Sequence, residues 1–129
     1  MGRQAGSGQL AARALVALLG GAGVMHFAAP EVFDPIVPRA LPGRARTWTY
    51  LSGAAEVGCA GLVAAPRTRR VGGRLAALLF VAVFPANVKM AWDWRTQSMP
   101  QRTVACARVP LQIPLVLWAL RVARQGDGR

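Results

Sequence analysis

Four apolar stretches, approximately Leu10–Ala29, Thr47–Ala65, Arg74–Trp94 and Val104–Val122, divide this chain, and nearly every arginine falls in the breaks between them. A helix needs roughly 20 mostly apolar residues to cross the hydrocarbon core of a bilayer. The layout predicts an all-α protein: a four-helix transmembrane bundle with short loops, spanning residues 1–129 as one domain. Hydrophobic residues make up 53% of the chain and charged ones only 16%, more apolar than an ordinary soluble domain. Four such helices use most of the length and leave no room for a separate soluble catalytic domain. The first stretch follows Arg3 and Arg13 as a signal peptide would. It is long, however, holds Gly20, Gly21 and Gly23, and lacks an A-x-A site. The expectation is an uncleaved first span.

A net charge of +11 would point to nucleic acid in a soluble chain. Here the basic residues form no continuous stripe and no nucleic-acid motif, so no nucleic-acid partner is expected; the bilayer is the partner. With an even number of spans, Arg3, Arg13, Arg67, Arg69, Arg70, Arg74, Arg121, Arg124 and Arg129 share one side. Arg39, Arg44, Arg46, Arg95 and Arg102 lie on the other, with Glu31, Asp34 and Asp93. That bias places both termini in the cytoplasm. One lysine against fifteen arginines, with abundant Ala and Gly, fits a high-GC bacterial genome and so a multi-pass protein of a bacterial plasma membrane.

Trp48, Tyr50, Trp92 and Trp94 fall at the outer interface and Trp118 near the inner one, as an aromatic belt requires. The outer connection between the first two helices is Pro-rich: Pro30, Pro35, Pro38 and Pro42 forbid a long helix and predict a turn-rich cap. The break Pro66–Arg70 is short enough to force an antiparallel hairpin. Gly20, Gly21 and Gly23 in the first helix, and Gly53, Gly58 and Gly61 in the second, are candidates for close helix approach. Cys59 and Cys106 form no CxxC and lie at different depths, so both read as small buried hydrophobes.

Six polar residues interrupt the apolar segments: His26, Glu56, Asn87, Lys89, Arg108 and Gln112. All lie within roughly 15 Å of the proposed outer surface, which predicts a single outward-facing polar pocket. A lone charge at mid-membrane costs on the order of 2.5–3.5 kcal/mol, so such residues turn inward and find partners. Ser52 and Glu56, and likewise Arg108 and Gln112, are four apart and share helix faces. A Glu56–Arg108 ion pair, completed by Gln112 or Ser52, is the expectation. The candidate pocket is therefore His26, Ser52, Glu56, Asn87, Arg108 and Gln112. Lys89, two residues from Asn87, points elsewhere and should snorkel to the interface. Pro85 should kink the third helix, and Pro110 and Pro114 the fourth. One histidine with no carboxylate or thiol at ligand spacing predicts no metal site.

Gly23-Val-Met-His26-Phe27 with Pro30, Phe33-Asp34-Pro35-Ile36-Val37-Pro38, and Leu41-Pro42 resemble the start of DoxX-like membrane proteins. The resemblance continues through Ser52–Glu56, Pro66-Arg67, Phe84–Asn87 and Arg108–Gln112, in order along almost the whole chain. It implies a compact four-helix transmembrane fold and, from the family's namesake, a link to quinone. The functional expectation is a pocket that binds a quinone, lipid or other small amphipathic molecule, with no catalytic constellation. One alternative is a subunit of a quinone-linked membrane oxidoreductase with a membrane redox partner. Another is a small transporter or proton path through Glu56 and His26, which for so few helices favours a homo-oligomer. No haem-ligand pair, iron–sulfur spacing or dinucleotide fingerprint occurs, so no cofactor beyond quinone is implied. The topology is open to direct test: a reporter that fluoresces only in the cytoplasm, fused after Arg129, should be bright. A dark fusion would reverse the orientation.

Overall fold

The computed structural model describes residues 2–125, with side chains from residue 6; Arg129 and the side chain of Arg3, both counted above for orientation, lie outside the described residues. All regular structure in them is helical. The order is α1 (Gly2–Ala28), the short α2 (Pro30–Phe33), a 3₁₀ turn (Asp34–Ile36), α3 (Ala45–Ala64), α4 (Arg69–Ala82), α5 (Phe84–Asp93) and α6 (Met99–Gln125). Three segments are long and apolar enough to cross a membrane: Gly6–Ala28, Arg69–Asp93 and Met99–Gln125. The second expected span, α3, falls short in composition because it carries Arg46, Thr47, Thr49, Ser52 and Glu56. Both α1 and α6 extend beyond the apolar stretches, since helix propensity continues into the arginine-bearing ends where apolarity stops.

Close pairs fix the directions. Gly23 meets Gly53 and Val57 while Gly20 meets Ala60, so α1 and α3 run antiparallel. Gly72 lies on Val63, closing α3 and α4 into the expected hairpin, and Gly73 lies on Ala123 while Phe80 meets Gln112, making α4 and α6 antiparallel. Trp118 Nε1–H donates to the Ala11 carbonyl at 3.0 Å and joins α6 to α1. The hairpin is held by helix-end carbonyls that α3 cannot satisfy itself. Thr68 Oγ1 donates to Leu62 O at 2.7 Å and Arg69 Nε to Val63 O at 2.9 Å.

The two halves of the molecule differ. Toward the hairpin end, Leu15, Leu19, Cys59, Val63, Ala77, Phe80, Val122 and their neighbours form a continuous core drawn from α1, α3, α4 and α6. At the other end only Ile36, Met90 and Ala105 form a small cluster. Cys59 belongs to the larger core as expected, but Cys106 is exposed rather than buried. Its side chain lies on the outer face of α6.

Proline marks two of the helices. Pro85 offers no N–H to the carbonyl four residues back, and the third apolar stretch is interrupted at the single residue Val83, where α4 meets α5. Val83 N–H still bonds Leu79 O, and Asn87 N–H bonds Val83 O. α6 stays one helix through Pro110 and Pro114. In the loop, Pro30 and Pro35 sit in the first turns of α2 and the 3₁₀ turn, where their missing N–H is harmless.

Few of the candidate glycines serve close approach. A Cβ at Gly23 would lie 2.7 Å from Val57 Cγ2 and 2.9 Å from the Gly53 carbonyl; one at Gly53 would lie 2.8 Å from His26 Cβ. Gly21, Gly58 and Gly61 have nothing within 4 Å, whereas Gly72 and Gly73, absent from the sequence reading, are in tight contact. Gly53→Ala should therefore destabilise by about 1–3 kcal/mol through overpacking. Gly58→Ala should be neutral or stabilise by up to about 1 kcal/mol through helix propensity. Thermal unfolding in detergent checks both; equal shifts would refute the crossing.

Candidate functional site

The loosely packed half contains a cavity of ≈ 430 Å³ between α1, α3, α4, α5, α6 and the Pro-rich loop. Its volume falls within the roughly 300–1,000 Å³ of small-molecule sites. Five of the six candidate residues line it: His26, Ser52, Glu56, Asn87 and Arg108. Gln112 does not. It is buried one turn below Arg108, and its Nε2 donates to the Phe80 carbonyl, tying α6 to α4 just before the Val83 break.

The α1–α3 crossing sets the first pair. Gly23 and Gly53 bring the two backbones together, and His26 and Glu56 each lie three residues further along. His26 Nδ1 is 2.7 Å from the Ala22 carbonyl of its own helix and 3.2 Å from Glu56 Oε2. The imidazole also stacks on Phe33, with ring centres 3.8 Å apart and planes at 16°. Its short bond to Ala22 and this stacking hold the ring against α1. Glu56 Oε2 is buried and receives no well-directed hydrogen bond from any described residue.

The expected Glu56–Arg108 pair is not in direct contact. No approach within 4.0 Å joins Glu56 to Arg108, although both face the same cavity. The Arg108 Nη1 instead lies 3.3 Å from the Met90 sulfur, a weak acceptor. Asn87, one turn into α5, is only 2% exposed and lines the cavity. The walls around these polar groups are apolar and include Phe33, Ile36, Leu41, Trp48, Leu79 and Val83.

A second cavity of ≈ 550 Å³ lies beyond the loop, and Val37, Pro38, Leu41 and Trp48 line both. The loop is thus a partition, and it is fastened at three points. Asp34 accepts from Thr49 Oγ1 at 2.7 Å and from Arg46 Nε at 2.9 Å. Trp48 Nε1–H donates to the Pro42 carbonyl at 2.7 Å. Lys89, expected at the interface, reaches the loop: its Nζ donates to the Pro35 carbonyl at 3.1 Å and pairs with Asp93. The sequence places Asp34, Arg46, Trp48 and Lys89 only at the outer side or interface, and does not single out Thr49. Thr49 in register with Ser52 and Glu56 was the available signal.

A model for a family described as a domain of unknown function, DUF8561, matches residues 15–123. The chain belongs to this family. No curated protein and no solved structure matches it. The DUF8561 match covers α3, both halves of the broken helix and most of α1 and α6, and so includes every residue that lines the cavity.

The Thr49 hydroxyl, then the Arg46 guanidinium, hold the Asp34 carboxyl below its ordinary value of 3.8. A depressed folded-state value means the clamp contributes fully above that ordinary value and is lost as pH falls through the lower, folded one. A spin label on Ala40→Cys, in a Cys106→Ser background, should therefore stay immobile above about pH 4 and loosen below it. Asp34→Asn should loosen it at every pH. An unchanged spectrum in Asp34→Asn would show that the clamp does not hold the loop.

Proposed function

We propose that this DUF8561 protein is a multi-pass membrane protein whose cavity binds a small amphipathic molecule. The observation that carries the reading is the cavity itself: a buried Glu56 oxygen with no well-directed hydrogen bond faces it, beside the Asn87 amide, inside apolar walls. Each unmade buried hydrogen bond costs about 1–3 kcal/mol. A molecule with a polar head and an apolar body recovers that cost and fills the space.

Four crossing segments fit this reading: α1, α3, α4 with α5, and α6. Leu18, Leu78, Val81, Ile113 and Leu117 are exposed, which suits a surface facing lipid. The twenty residues of α3 are long enough to cross, at about 30 Å. Its polar residues Thr49, Ser52 and Glu56 lie on the inner face, while Leu51 and Val57 point outward. This supports a four-helix transmembrane bundle with α3 as its polar inner wall. Arg67, Arg69, Arg70, Arg74, Arg121 and Arg124 belong to the hairpin end, which supports a cytoplasmic position for that end and both termini in a bacterial plasma membrane. The cavity then opens in the outer leaflet.

The ordered DoxX-like motifs favour a second reading: a DoxX-like subunit of a quinone-linked membrane oxidoreductase, with the cavity taking quinone from the bilayer beside a redox partner. Native mass spectrometry of protein extracted from its own membrane separates the two. The first reading expects a bound small molecule without a partner protein, and the second expects quinone with one. Ser52→Phe, which fills the cavity without removing a charge, should expel the molecule in either case. Wild-type protein that carries no small molecule and takes up no offered amphiphile would contradict both.

A further inference from the structure

We infer that the cavity selects amphiphiles whose head group is electrically neutral and offers both a hydroxyl donor and an oxygen acceptor. The inference rests on the ligand-binding reading above and adds the chemical class of the head group.

The lining defines what is missing. Glu56 Oε2 is a buried acceptor with no well-directed donor. His26, 3.2 Å away, cannot serve that oxygen well, because its Nδ1 is aligned on the Ala22 carbonyl at 2.7 Å and its ring is stacked on Phe33. A ligand hydroxyl would complete the carboxylate. Across the cavity, Arg108 carries five N–H donors, and its recorded contact is a thioether sulfur at 3.3 Å. A ligand oxygen would complete the guanidinium. Asn87 can serve either role, since its amide both donates and accepts.

Charge then narrows the class. An anionic head attracted to Arg108 meets the Glu56 carboxylate in the same small volume, and a cationic head attracted to Glu56 meets Arg108. Both charges act through a medium of low polarity, where like-charge contact is penalised more than in water. A neutral head carrying a donor and an acceptor satisfies both residues and repels neither. The glycerol head of a monoacylglycerol has this chemistry, and so does an alkyl hydroquinone.

The test uses full-length protein in phosphatidylcholine nanodiscs. Binding is measured for 1-monooleoylglycerol, a long-chain alkyl hydroquinone, oleate and oleylamine. Wild type should bind at least one neutral probe roughly tenfold more tightly than either charged probe. The better neutral probe distinguishes a glycerol head from a ring. Glu56→Gln should shift preference toward oleate, and Arg108→Gln toward oleylamine, each by roughly tenfold. Retained thermal unfolding and gel-filtration profiles establish that these variants fold. If a charge variant does not fold, Asn87→Leu replaces it: neutral binding should weaken while both charged probes stay excluded. Wild type that prefers oleate or oleylamine, or binds all probes alike, overturns the selectivity but leaves the ligand-binding reading standing. Failure of wild type to bind any probe would overturn both.

Discussion

The backbones of α1 and α3 touch at Gly23 and Gly53, and the placement of the polar groups follows from that contact. With a Cβ on either glycine the helices must separate, because each would fall within 3 Å of the facing helix. With none, His26 is carried to Glu56, and the face of α3 bearing Thr49, Ser52 and Glu56 is turned inward. Toward the hairpin end, Ala12, Ala60, Ala76 and Ala119 allow equally close packing and leave a dry core. Close packing in one half makes an open, polar space in the other half sustainable.

The second device is the interruption at Val83. Pro85, two residues later, omits one bond of the ladder, which resumes with Asn87 N–H on the Val83 carbonyl and sets Asn87 on the cavity. Gln112 secures the lower side of the break through the Phe80 carbonyl. The loop secures the upper side through Asp34, Trp48 and Lys89. A cavity bounded in this way holds a Glu56 oxygen that receives no well-directed hydrogen bond. Pre-formed sites that recover such bonds on binding avoid a reorganisation cost.

Helical segments were legible in the sequence because apolar runs and their breaks are long-range features that survive any choice of packing. The cavity residues were legible for a related reason: polar side chains inside apolar runs must turn inward, and five of the six candidate pocket residues do line one space. Pairing was not legible. The expected partner of Glu56 was the oppositely charged Arg108, but helix crossing depends on which glycines touch, and this contact favours His26. Loop fasteners such as Asp34 with Thr49 join residues fifteen positions apart with no periodic signal to link them.

The central claim is that Glu56, Asn87 and Arg108 face a chamber built to be occupied, and direct imaging tests it best. A high-resolution electron cryomicroscopy structure of the protein in native lipid should show non-protein density in that chamber, in contact with Glu56 and Asn87. A closed chamber with Glu56 paired directly to Arg108 and no density between them would contradict the account.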